Sequence, residues 1–214
     1  MSIVLREISK SYGATIVLRG VSLHVDAGSP ICIQGTNGSG KTTLLKIIAL
    51  IAAADAGSVI INGMDLANET ASARERVRIE LIGYSFQEPL LIPYLTALEN
   101  LLVATAFSPS PNSSKSRAIQ LLSAVGLSSR TDHLPSKLSV GEKKRVDLAR
   151  AIMRRPKILI ADEPLSNLDP DSAELVVGLL NNYNDEGEFV ICSASDPAHA
   201  KWASNVTVLP GEPR

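Results

Sequence analysis

The sequence has few cysteines and almost no net charge. Its two cysteines, Cys32 and Cys192, each lie within a short apolar run, where a thiol behaves as a small hydrophobic side chain. A disulfide is therefore not expected, and a cytosolic location is favoured. The 21 basic and 22 acidic residues leave a net charge of -1, so the overall field does not steer the chain toward nucleic acid or an anionic membrane.

The sequence also lacks long hydrophobic runs and has few aromatic residues. Its longest apolar segment, LLKIIALIAAA from Leu44, is shorter than the roughly 20 residues that span a bilayer and contains Lys46. We expect neither a membrane-spanning helix nor a signal peptide. No aromatic residue interleaves with the basic cluster Lys143, Lys144 and Arg145, which predicts a solvated helix face and no nucleic-acid partner.

Strand-like runs alternate with helical stretches along the chain. The runs are VSLHV, ICIQ, SVIING, ILIA, FVICS and VTVL. This alternation predicts a mainly parallel sheet covered by helices, which is an α/β fold. A chain of 214 residues with 45% hydrophobic content can bury one sizeable core, so we expect a single domain over residues 1–214.

The region from about Pro89 to Arg155 shows no convincing strand pattern. Two helix starts within it fit the capping box, Thr96 with Glu99 and Ser139 with Glu142. We expect a helical subdomain at roughly 89–155, inserted into the sheet. The segment FSPSPNSSKS at 107–116 is predicted to be a mobile surface loop.

The stretch IQGTNGSGKTTLL, residues 33–45, contains a phosphate-binding pattern. It matches G-x-x-x-x-G-K-[ST] between a strand-like and a helix-like segment, which makes a chance match of a glycine-rich turn the minor alternative. Its glycines let backbone amides turn inward at a helix N-terminus, its lysine adds a charge for the outer phosphates, and its threonine can ligate Mg²⁺. The expected nucleotide contacts are Gly35, Thr36, Asn37, Gly38, Ser39, Gly40, Lys41, Thr42 and Thr43, with Thr42 also a metal ligand.

A second motif, ILIADEP at residues 158–164, places two carboxylates after an apolar strand. Taken alone, it would indicate an exposed acidic turn. Beside a phosphate-binding loop, we expect Asp162 to hold Mg²⁺ through water and Glu163 to polarise the water that attacks the γ-phosphate of a nucleotide.

The stretch LSVGEKKR at residues 138–145 resembles the signature motif of ABC ATPases. It lies between the two motifs above, and the combination of the three is typical of that family. Tyr12 in KSYG is similar to the aromatic residue that stacks on adenine. Gln87 in YSFQEP resembles the Q-loop glutamine, and SNLD, which ends at Asp169, resembles the D-loop. The segments LLIPYLTALENLLV and LPSKLS are most similar to the ATPases of the lipoprotein-releasing and macrolide-exporter group.

The resemblance implies a P-loop NTPase (RecA-like) core with an antiparallel β-subdomain and an inserted helical subdomain. It implies that Gln87 assists catalysis and the Mg²⁺ shell. It also implies that two chains pair head to tail, so that Ser139 and the Gly141 amide of one chain complete the ATP site of the other. Glu142 and Asp169 are further expected nucleotide-binding residues. A helix N-terminus suits a phosphate, although Ser139 and Glu142 also fit a simple helix cap.

The sequence departs from the family pattern at two places. Val140 and Glu142 stand where glycine and glutamine are most frequent in the signature. Ser195, in VICSASDP, occupies the position of the histidine that contacts the γ-phosphate, so we expect Ser195 to be a weaker catalytic residue than that histidine. His199 lies four residues later, and the role is not transferred to it.

The expected function is that of an ATP-binding and ATP-hydrolysing subunit that uses Mg-ATP to drive a separate membrane permease. The chain would dimerise with a second ATPase subunit, identical or different, and would be cytoplasmic, held at the inner face of the membrane by its partner. A groove near Gln87, Pro89, Leu90 and Leu91 is the expected docking place for a permease helix. The alternative is a soluble ABC ATPase that serves an iron-sulfur assembly scaffold, which GEKKR also resembles.

Overall fold

The structure is a computed structural model, and it describes residues 2–105, 111–185 and 187–209. The strands are β1 (Ser2–Tyr12), β2 (Thr15–Asp26), β3 (Ile31–Gln34), β4 (Ala56–Ile61), β5 (Met64–Asp65), β6 (Ile82–Ser85), β7 (Ile158–Ala161), β8 (Phe189–Ala194) and β9 (Asn205–Val208). The α-helices are α1 (Lys41–Ile48), α2 (Ala71–Leu81), α3 (Ala97–Val103), α4 (Pro111–Ala124), α5 (Val140–Ile152) and α6 (Pro170–Asp185). Short 3-10 turns cover Ser128–Arg130, Pro135–Lys137 and Pro197–Ala200.

Five strands form a parallel sheet in the order β6-β7-β8-β3-β9. Every residue of β7 and β8 is buried, which explains why both strands are written as nearly continuous apolar runs. Because the strands are parallel, the carboxyl ends of β3, β6, β7 and β8 meet at one edge of the sheet. Ligands bind outside the carboxyl ends of strands in sheets of this kind, so this edge is where a site is expected.

Four strands form an antiparallel sheet in the order β2-β1-β4-β5. One apolar cluster joins this sheet to the parallel one: it contains Ile3 and Leu5 of β1, Leu44 of α1 and Ile33 of β3. The antiparallel sheet therefore packs over the helix that follows β3.

The described residues between Pro89 and Arg155 contain helices and turns and no strand. Both predicted capping boxes are present, at Thr96 with Glu99 and at Ser139 with Glu142. Helix α5 packs on the parallel sheet, and α3 and α4 pack against α5. All three share a second cluster that includes Leu101, Leu122 and Leu159.

Two sequence predictions in this region are wrong in part. Residues 111–116 of the predicted loop are the start of α4, because Pro111 suits the first turn of a helix; residues 107–110 lie outside the described residues. Lys144 is buried, with 3% of its surface exposed, and so does not belong to a solvated face. In the part of the chain that the structure describes, no helix is long and apolar enough to cross a membrane.

Candidate active site

The loop between β3 and α1 curls back on itself at its glycines. Gly38 and Gly40 have φ values of 84° and 90°, which side-chain-bearing residues rarely adopt. A Cβ atom at Gly35 would lie 2.4 Å from Ser39 Oγ, and one at Gly40 would lie 2.9 Å from the Val17 carbonyl oxygen of β2. The backbone therefore has this shape only with glycine at these positions, and β2 supports it from one side.

Helix α1 begins directly after Gly40, which has no side chain to cap it. The first amides of an α-helix lack partners within the helix, so Lys41, Thr42 and Thr43 present N–H groups at its positive end. Ser39 Oγ is also buried and has no hydrogen-bond partner among the described residues. These donors form a cradle that suits the oxygens of a phosphate group.

Lys41 lies inside this loop, with 5% of its side chain exposed. Its Nζ donates to the carbonyl oxygens of Gly35 and Thr36, each at 3.0 Å, and lies 3.4 Å from Glu163 Oε1. The ammonium group is thus held between the loop and the end of β7. A phosphate that entered here would meet a fixed positive charge.

Asp162 and Glu163 follow β7, as the sequence predicted. Asp162 is 2% exposed, and one of its carboxylate oxygens accepts a hydrogen bond from Ser193 Oγ at 2.6 Å. Burial raises the pKa of Tyr84, and the negative charge of Asp162 raises it further. No lysine, arginine or histidine nitrogen of the described residues lies within 4.0 Å of the Asp162 carboxylate.

Glu163 has a left-handed backbone, with φ of 47°, which is uncommon for a residue with a side chain. Its Oε1 is contacted by Lys41 and by the hydroxyl of Ser195, which follows β8. Ser195 Oγ also lies 2.8 Å from Asn37 Oδ1 in the phosphate-binding loop. Three separate segments of the chain therefore meet around one carboxylate oxygen.

Gln87 lies beside the first turn of α1, with its Oε1 3.5 Å from Thr42 Oγ1. The two residues before Gln87 are held by Asp147 of α5, a fully buried residue that sequence reasoning missed. The Asp147 carboxylate accepts hydrogen bonds from Ser85 Oγ at 3.0 Å and from the Phe86 amide at 2.8 Å. Burial raises the pKa of Asp147, and Arg150 opposes this effect.

Ser139 and Glu142 lie at the N-terminus of α5 and satisfy each other as a capping box. The Ser139 amide and the Arg130 guanidinium, at 2.7 and 2.9 Å, lower the pKa of Glu142. Gly141 packs close to Leu168, and the neighbouring Val140 is 60% exposed. Within the described residues, no hydrogen bond or ion pair joins this motif to the phosphate-binding loop of the same chain.

Lys144 connects α5 to the segment after β7. Its Nζ donates to the carbonyl oxygens of Glu163 at 3.0 Å and Ser166 at 3.1 Å, and to Ser166 Oγ at 2.5 Å. Burial lowers the pKa of Lys144, while the nearby carboxylates of Glu163, Asp162 and Asp147 act in the opposite direction. The basic cluster in the sequence gave no sign that one of its three members points inward.

Tyr12 and Asp169 occupy the ends of other elements. Tyr12 lies at the β1–β2 turn, 53% exposed, with Lys10 Nζ 5.5 Å from its ring centre. Lys10 also binds Asp55, and this contact lowers the pKa of Asp55. Asp169 accepts from the Ser172 amide at the start of α6, and the Ser172 contacts lower its pKa. In the part of the chain that the structure describes, no hydrogen bond or ion pair joins Tyr12 or Asp169 to the phosphate-binding loop.

The comparisons with known proteins agree with the fold. The family model for "ABC transporter" matches residues 18–166. The chain is 41% identical to the lipoprotein-releasing system ATP-binding protein LolD 1 of Rhodopirellula baltica over 90% of the chain and 86% of that protein. It is 37% identical to the macrolide export ATP-binding/permease protein MacB of Shigella flexneri over 94% of the chain, which spans 32% of the length of MacB.

Among solved structures, the dimeric cassette MJ0796, described as a bacterial ABC transporter cassette, superposes with a TM-score of 0.91 at 31% identity, covering 97% of the chain and 94% of MJ0796. A dimeric post-hydrolysis state of MJ0796 bound to ADP and Pi gives a TM-score of 0.90 at the same identity and coverage. The P-loop NTPase fold and the resemblance to the lipoprotein-releasing and macrolide-exporter group, both predicted from the sequence, are confirmed. The chain belongs to the ABC transporter family as an ATP-binding cassette, a family of ATPases that hydrolyse ATP.

Proposed function

We propose that this chain binds and hydrolyses Mg-ATP at a head-to-tail interface with a second ATPase subunit and thereby drives a separate membrane permease. The observation that carries the proposal is the meeting of Lys41, Glu163 and Ser195 at one edge of the parallel sheet, beside the cradle of α1. In this proposal residues 1–214 are one ABC ATPase domain, with a helical subdomain at roughly 89–155.

ATP would bind with its phosphates in the loop from Gly35 to Thr43. The amides at the start of α1 and the Ser39 hydroxyl, which has no hydrogen-bond partner among the described residues, would donate to phosphate oxygens, and Lys41 would add its charge. Tyr12 offers an exposed aromatic face for adenine, and its ring is already held by Lys10 and, through it, by Asp55. The loop would then bind the phosphates of the nucleotide, and Tyr12 of the antiparallel sheet would bind its adenine.

The residues around Asp162 fit a Mg²⁺ ion. Asp162 is a buried carboxylate without a cationic neighbour within 4.0 Å among the described residues, and such a charge is costly unless a cation or several donors stabilise it. Thr42 and Gln87 lie together and offer oxygen atoms, the type of ligand that Mg²⁺ prefers. Bound there, the ion would neutralise charge on the outer phosphates.

Glu163 is placed to polarise the attacking water. Its carboxylate faces Lys41, and a γ-phosphate bound by Lys41 would bring the reacting centre to the same oxygen. Ser195 contacts Glu163 and Asn37 but cannot carry a positive charge as a histidine can. We therefore expect slow hydrolysis by the isolated chain and faster hydrolysis in the assembled transporter.

The head-to-tail interface is supported by the separation, within one chain, of the α5 N-terminus from the phosphate-binding loop. The α5 N-terminus with Ser139, Gly141 and Glu142 makes no hydrogen bond to the phosphate-binding loop of its own chain within the described residues, and Val140 beside it is exposed. A second copy would bring this helix N-terminus, together with Asp169, to the γ-phosphate of the first. The related cassette MJ0796 is described as a dimer.

The permease is proposed from the relatives and from one surface. LolD 1 is named as part of a lipoprotein-releasing system, and MacB carries ATP-binding and permease functions in one protein. After Gln87 the chain exposes Leu90 at 58% and Tyr94 at 88%, which gives a permease helix an apolar surface next to a residue of the nucleotide site. The chain would then lie at the inner face of the membrane through that contact.

The proposal is tested with Glu163→Gln, which removes the polarising carboxylate and keeps the shape of the side chain. With Mg-ATP, this variant is expected to elute as a dimer on size-exclusion chromatography, and the double variant with Lys41→Ala is expected to remain a monomer. A Glu163→Gln chain that binds ATP and stays monomeric would refute the composite site. Affinity purification of the full chain then separates a membrane protein partner, as proposed, from a soluble scaffold.

A further inference from the structure

Strand β8 contains one hydroxyl-bearing residue in an otherwise apolar sequence, FVICSA. This residue, Ser193, is 2% exposed and lies at the carboxyl end of the strand, between the ends of β7 and β3. A buried hydroxyl is retained without cost only when it is hydrogen-bonded, so its partners indicate what it does.

Both partners of Ser193 are in the proposed catalytic segment. Its hydroxyl donates to Asp162 Oδ1 at 2.6 Å and accepts from the Glu163 amide at 2.9 Å. The single proton of the hydroxyl is used by the carboxylate, and an oxygen lone pair is used by the amide. One side chain therefore fixes the rotation of the Asp162 carboxylate and the backbone of the next residue.

The second of these contacts falls on a strained backbone. Glu163 has φ of 47°, and this turn directs its carboxylate toward Lys41 and Ser195. A hydrogen bond to the Glu163 amide holds the peptide group in the orientation that this turn requires. Ser193 thus acts on the proposed metal ligand and on the proposed catalytic carboxylate at once.

We infer that Ser193 is a positioning residue that orients Asp162 toward Mg²⁺ and Glu163 toward the attacking water. The inference rests on the proposed Mg-ATP site. Ser193 itself would touch neither the metal ion nor the nucleotide, and its effect would pass through the two carboxylates. Removal of the hydroxyl should therefore weaken metal binding and slow turnover, while the affinity for nucleotide in the absence of metal stays as it is.

The test uses the purified full chain with ATP and Mn²⁺ as a paramagnetic substitute for Mg²⁺. Ser193→Ala is expected to raise the apparent Kd for Mn²⁺ by about 10-fold, as loss of a partner behind a metal ligand commonly does, and to lower kcat. The affinity for a fluorescent ATP analogue in EDTA should change less than twofold. Ser193→Thr, which keeps the hydroxyl, should restore the Mn²⁺ affinity to within about threefold of wild type.

A matched control is Ser58→Ala, since Ser58 Oγ also donates to an aspartate, Asp65 Oδ2 at 2.9 Å, but in the antiparallel sheet. It should leave the Mn²⁺ affinity unchanged. Ser193→Cys keeps the shape of the side chain with a slightly larger and weaker donor, and it serves as a second variant in case Ser193→Ala fails to fold. In an Asp162→Ala background, the further change Ser193→Ala should add nothing to the metal defect, because Ser193 acts through Asp162.

Two results overturn the inference in different ways. If wild type binds Mn-ATP and Asp162→Ala loses the metal, but Ser193→Ala and Ser193→Cys match wild type within twofold, Ser193 has only a packing role and the proposed function stands. If Asp162→Ala has no effect on Mn²⁺ affinity, the proposed metal site is wrong and the inference falls with it.

Discussion

The two halves of the site, the loop after β3 and the ends of β7 and β8, are built in different ways. In the first half, nine consecutive residues from Gly35 to Thr43 supply the amides, the lysine and the threonine through local backbone geometry. In the second half, Glu163 depends on Ser193, Lys144 and Ser195, which lie 19 to 32 residues away in sequence. A contiguous half can be recognised as a motif, whereas an assembled half shows its supports only in three dimensions.

The contiguous half should lose most of its affinity for ATP when its charge is removed. Lys41→Ala is expected to weaken ATP binding on the order of 100-fold, because charged hydrogen bonds to phosphate are lost and no other described side chain supplies a cation at that point. Isothermal titration calorimetry measures the change. The matched control is Lys46→Ala, which removes the same charge from the other end of α1 and should leave affinity within about twofold.

If Lys41→Ala binds ATP as wild type does, the loop from Gly35 to Thr43 is not a phosphate site. Circular dichroism spectra of both lysine variants exclude a loss of fold as the cause of any difference.

The assembled half should improve when a cationic donor is restored. Ser195→His is expected to raise kcat by up to about 10²-fold, since a histidine can orient water and stabilise developing negative charge that a serine hydroxyl cannot. Steady-state ATPase activity with saturating Mg-ATP is the measurement. His199→Ala is the companion variant, which tests whether a nearby histidine already supplies this function. His199 lines a cavity of about 180 Å³ together with Glu163 and Ser195.

His199→Ala should change kcat less than twofold, since the structure gives the His199 imidazole no hydrogen bond to Glu163 or Ser195 among the described contacts. Brisk wild-type turnover that falls in His199→Ala and is not raised by Ser195→His would show that His199 replaces the missing histidine, contrary to the expectation.

The buried support of Glu163 should affect stability as well as rate. Lys144→Met is expected to lower the free energy of unfolding by about 1–3 kcal/mol, because the carbonyl oxygens of Glu163 and Ser166 lose their donor while they stay partly buried. Urea unfolding followed by circular dichroism measures it. Lys143→Met, next to it on the more exposed side of α5, should cost less than about 0.5 kcal/mol. Equal losses in the two variants would contradict an internal role for Lys144.

The smallest effect is expected at the cap of α5, where Glu142 is held by Ser139 and Arg130. The folded-state pKa of Glu142 is lowered, so the carboxylate contributes stability above the unfolded pKa of about 4.3, and this contribution is lost as the pH falls through the folded value. At pH 7, Glu142→Gln should cost less than about 1 kcal/mol because the pair is partly exposed to water.

The difference in unfolding free energy between wild type and Glu142→Gln should shrink as the pH is lowered below about 4. A difference that stays constant from pH 7 to pH 3 would show that the cap works through hydrogen bonding alone, without the charge.

Sequence patterns predicted the fold class well because β3, β7 and β8 are short apolar runs that end in turns. They missed β6, IGYS, because this strand has few apolar side chains and is buried by the close approach of α5 to its backbone. A Cβ atom at Gly83 would lie 2.3 Å from the Ala151 carbonyl oxygen of α5. The resemblance likewise pointed to Gln87 but not to Asp147, 60 residues later, which holds the Phe86 amide. A charged residue such as Asp147 within a helical pattern is predicted to face solvent, and only the structure shows that it has a buried hydrogen-bond partner.

The sequence by itself determined the glycine-rich loop proposed to bind nucleotide, the carboxylates after β7, both capping boxes and the family, because each depends on neighbouring residues or on a contiguous motif. The tertiary structure alone decided which hydroxyl holds Asp162, which lysine of the basic cluster turns inward and what Ser195 contacts. The physical reason is that a parallel sheet brings together strand ends that are distant in the chain, so the hydrogen bonds across its edge have no fixed spacing in the sequence.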